Sequence, residues 1–483
     1  MNNHTSGQPK SFGGNAPTAA PLDFMRGNRE DREKELQKRF EKFGLIENPF
    51  PPNPFADYVA KERDARRGKI FSPESHRDTI QAIERKWIGF PNFDEKLRIG
   101  FLWAESGELT DKGMGKSSVI FHIIEKVNNG FGANYFKDYK LCAIYVYSGT
   151  DWNKLGYICI DAMRKLESGG VLDEVVRILR FQSLLEMNHD LASSIKTQSD
   201  FDRMLDEKWL SESNVDLATL GEKVKGLLIQ EGVDPDVADA VSARRFTEYL
   251  KSFRSDHQLT LPPAAHDWRL TKLSVRLFYD QCMRVLRAGR FDHCYLFIDD
   301  VENIIKALEK SPRDLAEFAR VLGGHLFRDD VFSNTGQMLS VFLTTHAKAA
   351  NSLSNPWRDA GYDSSARLHT SSPNSVMVGP LTVDGGIAMM KTYLKHYRVP
   401  GYSGDELFPF DHESAQLLVE DSKFHPRFLM SNAFHLMVKA ADENSVTKIT
   451  KDYVDSFLKS KINVQTKEGE SEVHMDQEFG FEH

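Results

Sequence analysis

In residues 97–128, a short apolar run is followed directly by a glycine-containing loop and then by an amphipathic helix. The run "LRIGFLWAE" (97–105) has the length and composition of a buried strand. After the loop, Val119, Ile123 and Val127 recur at helical intervals, and Asn-Asn-Gly is expected to end the helix. A strand that leads through a loop into a helix is the unit from which parallel sheets are built. This order favours an α/β fold with a parallel sheet.

The loop that joins this strand to the helix ends like a phosphate-binding loop (P-loop). Its sequence, "SGELTDKGMGKSS" (106–118), closes on Gly-Lys-Ser, but Thr110 takes the place of the first glycine in the ordinary pattern. Residues 106–112 are interpreted as an enlarged first half of the loop. The glycines would let the backbone approach phosphates, the lysine would neutralise the β and γ charges, and a serine hydroxyl would bind Mg²⁺. The predicted nucleotide-binding residues are Gly113, Met114, Gly115, Lys116, Ser117 and Ser118, and Ser117 is also a predicted Mg²⁺ ligand.

A Gly-Lys-Ser triplet also occurs by chance in surface turns, so a second motif has to support it. The sequence "HCYLFIDDVENI" reads as a buried strand that ends in acids. Asp299 is predicted to order Mg²⁺, and Asp300 takes the position of the group that polarises the attacking water. Glu302 is a rival base in case Asp300 is too short. Simpler interpretations stay open: the aspartates cap the next helix, and Glu302 is a solvated acid favoured by the helix dipole.

The order of elements divides the chain into a sheet-containing core and helical parts. Further strand-like runs are "KLCAIYVYS" and "QMLSVFLTTH", whereas residues 168–290 contain no convincing strand. We expect this helical insert to recruit a partner and to be separate from the core. The predicted parts are a disordered tail and charged helix (1–40), an extended segment and helix that dock on the core (41–96), a P-loop ATPase core (97–380, with the insert at about 168–290), an all-helical lid (381–462) and an acidic disordered tail (463–483).

Composition narrows the class of protein. The chain has 483 residues, of which 40% are hydrophobic and 27% charged, as is typical of soluble globular proteins. No apolar run approaches the roughly 18 residues of a membrane span, and the N-terminus has no apolar stretch of a secretion signal. Four cysteines without a Cys-x-x-Cys pair predict reduced thiols and a cytoplasmic location. The net charge of −8 argues against indiscriminate nucleic-acid binding, although residues 466–483 account for much of it.

These motifs together resemble the AAA+ ATPases. The resemblance is strongest to the initiator, secretion-ATPase and transposon-regulator branch, because "FGLIENPF" (43–50) is similar to its N-terminal motif and "HPRFL" (425–429) to the start of its lid helix. "ITKDYVDSFL" also fits the final lid helix of that branch. The similarity covers roughly residues 41–165 and 291–462 and does not extend to the insert.

The resemblance implies roles for four further residues. Thr345 would be sensor 1, which bonds the γ-phosphate or the attacking water, and Arg427 would be sensor 2, which reaches the nucleotide from the lid. Either Arg367 or Arg358 would be the arginine finger that serves a neighbouring subunit, with Arg367 preferred. There are plainer interpretations. The Thr345 hydroxyl would only cap a strand end, Arg427 would be a surface arginine at a helix start, and Arg358 and Arg367 would be solvated loop residues.

The function that the resemblance implies is an ATP-dependent molecular switch. Such a chain would bind ATP and Mg²⁺, form a homo-oligomer and act on double-stranded DNA or a DNA-bound partner. Hydrolysis is expected to be slow, because Asp300 stands where a longer glutamate is usual. The alternative is a signalling or defence ATPase that recruits a protein effector through the insert or the acidic tail, without DNA. A secretion-type assembly ATPase is a third candidate, against which the lack of a membrane segment counts.

Overall fold

The computed structural model describes residues 38–52, 54, 64–67, 69–89, 99–104, 112–148, 155–256, 273–274, 276–308, 313, 315–316, 338–347, 355–356 and 375–468. The chain divides into two compact units. One, the helical unit, comprises Met1–Pro52, Met390–Leu418 and Met430–His483. The other, the sheet unit, comprises Asn53–Met389 and Val419–Leu429. The predicted lid helices are therefore divided between the two units.

The sheet unit contains five parallel strands, which confirms the α/β prediction at the level of the fold class. The strands are β1 (Ile99–Ala104), β2 (Leu141–Tyr147), β3 (His293–Asp299), β4 (Leu339–Thr344) and β5 (Ser375–Val378). Their order across the sheet is β2-β3-β4-β1-β5, and each neighbouring pair is parallel. The register pairs Tyr147 with Asp299, and Leu102 with Thr344. The carboxyl ends of β1, β3 and β4 therefore meet at one edge.

Helices form most of the remaining described chain. Within the sheet unit they are α1 (Arg77–Ile83), α2 (Lys116–Asn128), α3 (Leu155–Ser168), α4 (Val171–Met187), α5 (His189–Ser194), α6 (Gln198–Asp202), α7 (Glu207–Glu212), α8 (Leu217–Gln230), α9 (Pro235–Ser242), α10 (Phe246–Asp256), α11 (Met283–Ala288) and α12 (Glu302–Leu308). Short 3-10 turns (Ala65–Arg67, Pro73–His76, Arg203–Leu205) and π-helical turns (Glu84–Ile88, Leu277–Cys282) flank some of them. The C-terminal helices are α13 (Val383–His396), α14 (His412–Asp421), α15 (Pro426–Asp442) and α16 (Lys451–Glu468).

Both faces of the sheet are buried, as a parallel sheet requires. Side chains of β2 alternate between two hydrophobic layers: Ala143 and Tyr145 join the layer that contains α2, and Ile144 and Val146 join the layer that contains α3 and α12. The helix that follows β1 and the helix that follows β3 therefore lie on opposite faces. The neighbouring strands β1 and β4 connect in opposite directions across the sheet, to β2 and to β5, which makes the edge between β1 and β4 a topological switch point.

The insert differs from its prediction as a separate appendage. As predicted, the described residues between 168 and 290 contain helices and no strand. However, α4 and α8 to α11 bury apolar side chains in the same layer as β2 and β3, with Val175, Leu228 and Phe246 at 1% exposure or less. Around α5 to α7, a smaller cluster includes Ala192, Met204 and Leu210. The insert was predicted to be an appendage because each of its amphipathic helices has a polar face. The apolar faces of α4 and α8 to α11 instead cover the sheet.

In the helical unit, the N-terminal segment packs on C-terminal helices. Lys42 Nζ donates to the carbonyls of Ala440 and Glu443 at 2.8 and 2.7 Å. The Asn48 side-chain amide donates to the Phe434 carbonyl at 3.1 Å, and the buried Phe50 ring contacts the rings of Tyr393 and Phe410. The segment predicted to dock on the ATPase core, residues 41–96, is divided at Pro52 between the helical unit and the sheet unit.

Candidate functional site

The predicted phosphate-binding loop leads into α2 at the switch point of the sheet. Gly113 and Gly115 adopt φ values of 88° and 93°, which a residue with a side chain rarely adopts. Gly115 is the N-cap of α2, so the first free backbone N–H groups of this 13-residue helix lie in the loop. Lys116 begins the helix and is 7% exposed. Ser117 and Ser118 follow in the first turn and are half-buried. This geometry suits an anion.

A histidine that the sequence did not single out contacts the loop. His76 lies in the 3-10 turn before α1, and its Nε2 is 3.0 Å from the Met114 carbonyl oxygen. The Ser75 hydroxyl is 2.7 Å from Nδ1 of the same ring. Ser72 is the N-cap residue of this turn, but its hydroxyl donates to Glu74 Oε2 at 3.3 Å and caps no backbone N–H. Burial lowers the pKa of His76 below its ordinary value, so the neutral ring is favoured.

Asp299 ends β3 and is fixed by three donors. The Tyr145 hydroxyl donates to Oδ2 at 2.9 Å, the Thr344 hydroxyl donates to Oδ1, and the Asp300 backbone N–H is 3.1 Å from Oδ1. The residue is 1% exposed. Burial and the adjacent Asp299 carboxylate raise the pKa of Tyr145 well above its ordinary value, so this phenol remains a donor. The carboxylate is oriented by bonds from two strands.

Asp300 directly follows β3 in a left-handed conformation, with φ at 55°. The Ser148 hydroxyl holds this turn, because it donates to the Asp300 carbonyl at 2.6 Å. Burial, and then the charges of Asp299 and Glu302, raise the pKa of Asp300 to about 7, while Lys116 and Lys112 oppose the rise. A carboxyl group with this pKa can accept a proton near neutral pH, as a general base must.

Glu302 begins α12 and is buried, with 2% of its surface exposed. Its Oε2 atom has no hydrogen-bond partner in the part of the chain that the structure describes. A buried carboxylate oxygen without a donor is unfavourable by itself, and such atoms at a candidate site point to a bound water or cation. Glu302 is therefore not the solvated first-turn acid of the simplest sequence interpretation.

The two threonines at the end of β4 face different partners. Thr344 donates its hydroxyl to the Asp299 carboxylate and accepts the Asp300 backbone N–H at 2.9 Å. Thr345, the predicted sensor 1, pairs its backbone N–H with the Leu102 carbonyl at 3.1 Å. Its hydroxyl donates to the His346 carbonyl at 3.5 Å. The sequence did not single out Thr344. Because Thr344 precedes Thr345 by one position, its side chain lies on the opposite side of the strand.

Arg427, the predicted sensor 2, lies against the loop. A Cβ atom added to Gly113 would come within 2.5 Å of Arg427 Nε, so this close approach needs glycine. The same Nε atom donates to the Pro54 carbonyl at 3.2 Å. Burial lowers the pKa of Arg427, and the Asp300 carboxylate opposes this shift. The structure thus places Arg427 near both motifs. The predicted arginine fingers, Arg358 and Arg367, lie outside the described residues.

The candidate site has side chains of the kinds that contact Mg²⁺ in nucleotide sites. Within the described residues, no three or more His, Cys, Asp or Glu side chains are grouped so that they could hold a metal ion. Mg²⁺ in nucleotide sites is bound by one or two protein groups and by phosphates and water, so such a cage is not required. Asp299, Ser117 and the unpaired oxygen of Glu302 are the candidate contacts.

Comparisons with known proteins do not define the class of this protein beyond its fold. No family model matches the chain, and neither a curated protein nor a solved structure matches it. None of the described helices is long and apolar enough to cross a membrane. The class that fold and comparisons define is thus an α/β protein with a five-stranded parallel sheet.

Asp300→Asn is expected to stabilise the nucleotide-free protein at pH 8 more than at pH 5. The raised pKa means that folded Asp300 holds a proton between about pH 4 and 7 that the unfolded chain has released. Its favourable contribution is present at low pH and lost as the pH rises through about 7. Asparagine stays neutral and tolerates the left-handed conformation. Thermal unfolding at both pH values measures this, with the substitution Asp138→Asn as a control. A melting-temperature difference that does not depend on pH would contradict the assignment.

Proposed function

We propose that this chain is an ATPase that binds Mg·ATP at the carboxyl edge of its sheet and acts as a molecular switch of the AAA+ type. One observation carries the proposal. The helix N-terminus that begins with Lys116, and the acids Asp299 and Asp300 at the end of β3, follow parallel strands and therefore lie at the same edge of the sheet. A cationic loop suited to an anion thus lies at a topological switch point and shares this edge with an oriented carboxylate, Asp299, and with Asp300, whose pKa is raised to about 7.

The loop and α2 would bind the phosphates. Backbone N–H groups at the start of a helix and a lysine are suited to the β- and γ-phosphates. Arg427, which packs against Gly113, would contact the γ-phosphate as sensor 2. Mg²⁺, when bound, would neutralise phosphate charge, with Ser117 and Asp299 as its protein contacts. Asp299 is already held in one orientation by Tyr145 and Thr344, so little rearrangement is needed.

Asp300 would act as the base in hydrolysis. A water oxygen attacks the γ-phosphorus, Asp300 accepts a proton from this water, and the bond between the γ-phosphorus and the bridging oxygen breaks to release ADP. The pKa of about 7 supports this role over that of a capping aspartate. Glu302 remains the rival, since its unpaired oxygen is equally unexplained without a ligand. Thr345 and Thr344 are both candidates for the hydroxyl that contacts the water or the γ-phosphate.

The basic test is Mg²⁺-dependent ATP binding and phosphate release by the purified chain. We expect a saturable site for ATP, and slow release of phosphate that chelation of Mg²⁺ abolishes. GTP and CTP measured in parallel determine whether the base is recognised. Absence of ATP binding at millimolar concentrations would remove the proposal.

ATP is expected to promote self-association, through Arg367 or Arg358 of a neighbouring subunit. An arginine donated by a neighbour can neutralise γ-phosphate charge that the subunit's own side chains leave uncompensated. Sedimentation of the wild type, Arg367→Ala and Arg358→Ala, in ATP and in ADP, measures the effect. Assembly in ATP that one substitution removes is the expected result. A wild type that stays monomeric in ATP with normal turnover would contradict the switch.

DNA as the partner rests on the resemblance alone. The segment 276–290 carries four arginines, Arg276, Arg284, Arg287 and Arg290, and such a run is usually a solvated face. Arg284 pairs with Asp280 at 2.8 Å and is thus engaged within the sheet unit. Binding to duplex DNA at several salt concentrations separates the candidates. A steep fall of affinity with salt favours DNA, and no binding favours an effector protein.

A further inference from the structure

We propose that His76 is a positioning residue of the phosphate-binding loop, which holds the Met114 carbonyl so that the next N–H group faces the phosphates. This inference rests on the proposed ATP site. It concerns a residue that lies 38 positions before the loop contact and outside both sequence motifs. It also assigns a role to a buried histidine that neither binding nor hydrolysis, as described above, requires.

The contact between His76 and the loop is close on two sides. Nε2 is 3.0 Å from the Met114 oxygen. A Cβ atom added to Gly115 would lie 2.5 Å from the same Nε2, so the ring packs directly against the Met114–Gly115 peptide. The ring is 5% exposed and stacks on Phe71, with 5.8 Å between the ring centroids. His76 therefore has little freedom to move away from the loop.

The protonation state follows from the partners. A carbonyl oxygen only accepts, so Nε2 must carry the proton that is donated to Met114. Because burial favours the neutral ring, Nδ1 is then bare and can accept the Ser75 hydroxyl, 2.7 Å away. The Met114 carbonyl thus selects the tautomer that can hold the loop. The Ser72 carbonyl, at 2.6 Å from the Ser75 hydroxyl, competes with Nδ1 for its proton.

The consequence for the loop follows from the planar trans peptide. In such a peptide the carbonyl oxygen and the following N–H point in opposite directions. When His76 fixes the Met114 oxygen, the Gly115 N–H is directed away from His76. This loop lacks the first glycine of the ordinary pattern and has an enlarged first half. An anchor from outside the loop would supply part of the rigidity that the shorter pattern has by itself.

The test compares the affinities for Mg·ATP and Mg·ADP of four proteins: the wild type, His76→Ala, His76→Gln and His122→Ala. His122 is the matched control, because its ring also packs on Phe71, at 5.1 Å, but no hydrogen bond links it to the loop in the described structure. We expect His76→Ala to weaken the binding of both nucleotides roughly 10- to 100-fold. This is the effect of losing one hydrogen bond to a charged group, here the bond from the Gly115 N–H to a phosphate. Glutamine can donate to the same carbonyl, so His76→Gln should recover at least threefold of this loss. His122→Ala should bind within threefold of the wild type.

Two results would overturn the proposal, namely His76→Ala affinity within threefold of the wild type, or His76→Gln affinity no tighter than that of His76→Ala. Nitrogen-15 NMR of histidine-labelled wild type provides a test that needs only one folded variant. The His76 ring resonances are those that are absent from the spectrum of His76→Gln. In the wild type we expect them to show the Nε2–H tautomer. The Nδ1–H tautomer would also overturn the proposal. Wild type that binds no ATP would instead remove the proposed function, which Lys116→Ala tests independently.

Discussion

Lys116→Ala is expected to weaken Mg·ATP binding by roughly 30-fold or more, because truncating one partner of a buried charge pair costs about 2–5 kcal/mol. Lys116 is 7% exposed at the N-terminus of α2. In the proposed complex its ammonium is the cation nearest the β- and γ-phosphates. Equilibrium binding of a fluorescent ATP analogue measures the effect.

The matched control for this variant is Lys126→Ala. Lys126 lies in the last turn of the same helix, where it pairs with Glu84 at 2.5 Å. It should leave the affinity for ATP unchanged. A change of less than threefold for Lys116→Ala would show that the loop is not the nucleotide site. An equal loss in both variants would indicate damage to the helix and would also contradict a specific role of Lys116.

Asp300→Asn is expected to retain ATP binding and to lower turnover at least 100-fold, the lower end of the contribution of a general base. Because asparagine cannot accept the proton from water, the protein should accumulate in its ATP-bound, assembled state. In the wild type, kcat/KM should rise with pH through about 7, as Asp300 loses its proton. Steady-state phosphate release between pH 6 and 9 measures both effects.

Glu302→Gln is the comparison for this prediction, because Glu302 is the rival base and is a buried carboxylate of the site. Glutamine supplies an N–H donor in place of an oxygen, so metal contact should be affected more than proton transfer. If Asp300→Asn hydrolyses ATP normally and Glu302→Gln does not, Glu302 is the base. A flat pH profile in the wild type would also argue against Asp300.

The sequence was sufficient to predict four of the strands, but not which segments lie beside them. Apolar runs of strand length predicted β1, β2, β3 and β4, because a strand buried on both faces must be apolar throughout. The same pattern cannot tell that β4 lies between β1 and β3, since that order depends on pairing between distant segments. It also could not tell what the apolar faces of α4 and α8 to α11 pack against. Periodicity shows that a face is buried and does not identify its partner.

In the candidate site, the sequence predicted residues that belong to motifs and missed those that support them. Lys116 and Asp299 could be predicted, since each directly adjoins a strand or helix of clear pattern. His76 could not, because its contact with Met114 spans 38 residues and its own neighbourhood reads as an ordinary helix start. Thr344 was missed by one position. Adjacent side chains of a strand point to opposite faces, so an uncertainty of one residue exchanges the two threonines.

The helical unit sets an order for folding during synthesis. Its N-terminal segment, residues 38–52, bonds to residues as late in the chain as Glu443. At about 5–20 residues per second, the ribosome needs roughly 20 to 80 seconds to make the intervening chain. During this time Phe50, fully buried in the folded protein, has no partners, because Tyr393 and Phe410 have not yet been translated. The sheet unit can begin to fold first, and the two ends of the chain pack together only near the end of translation.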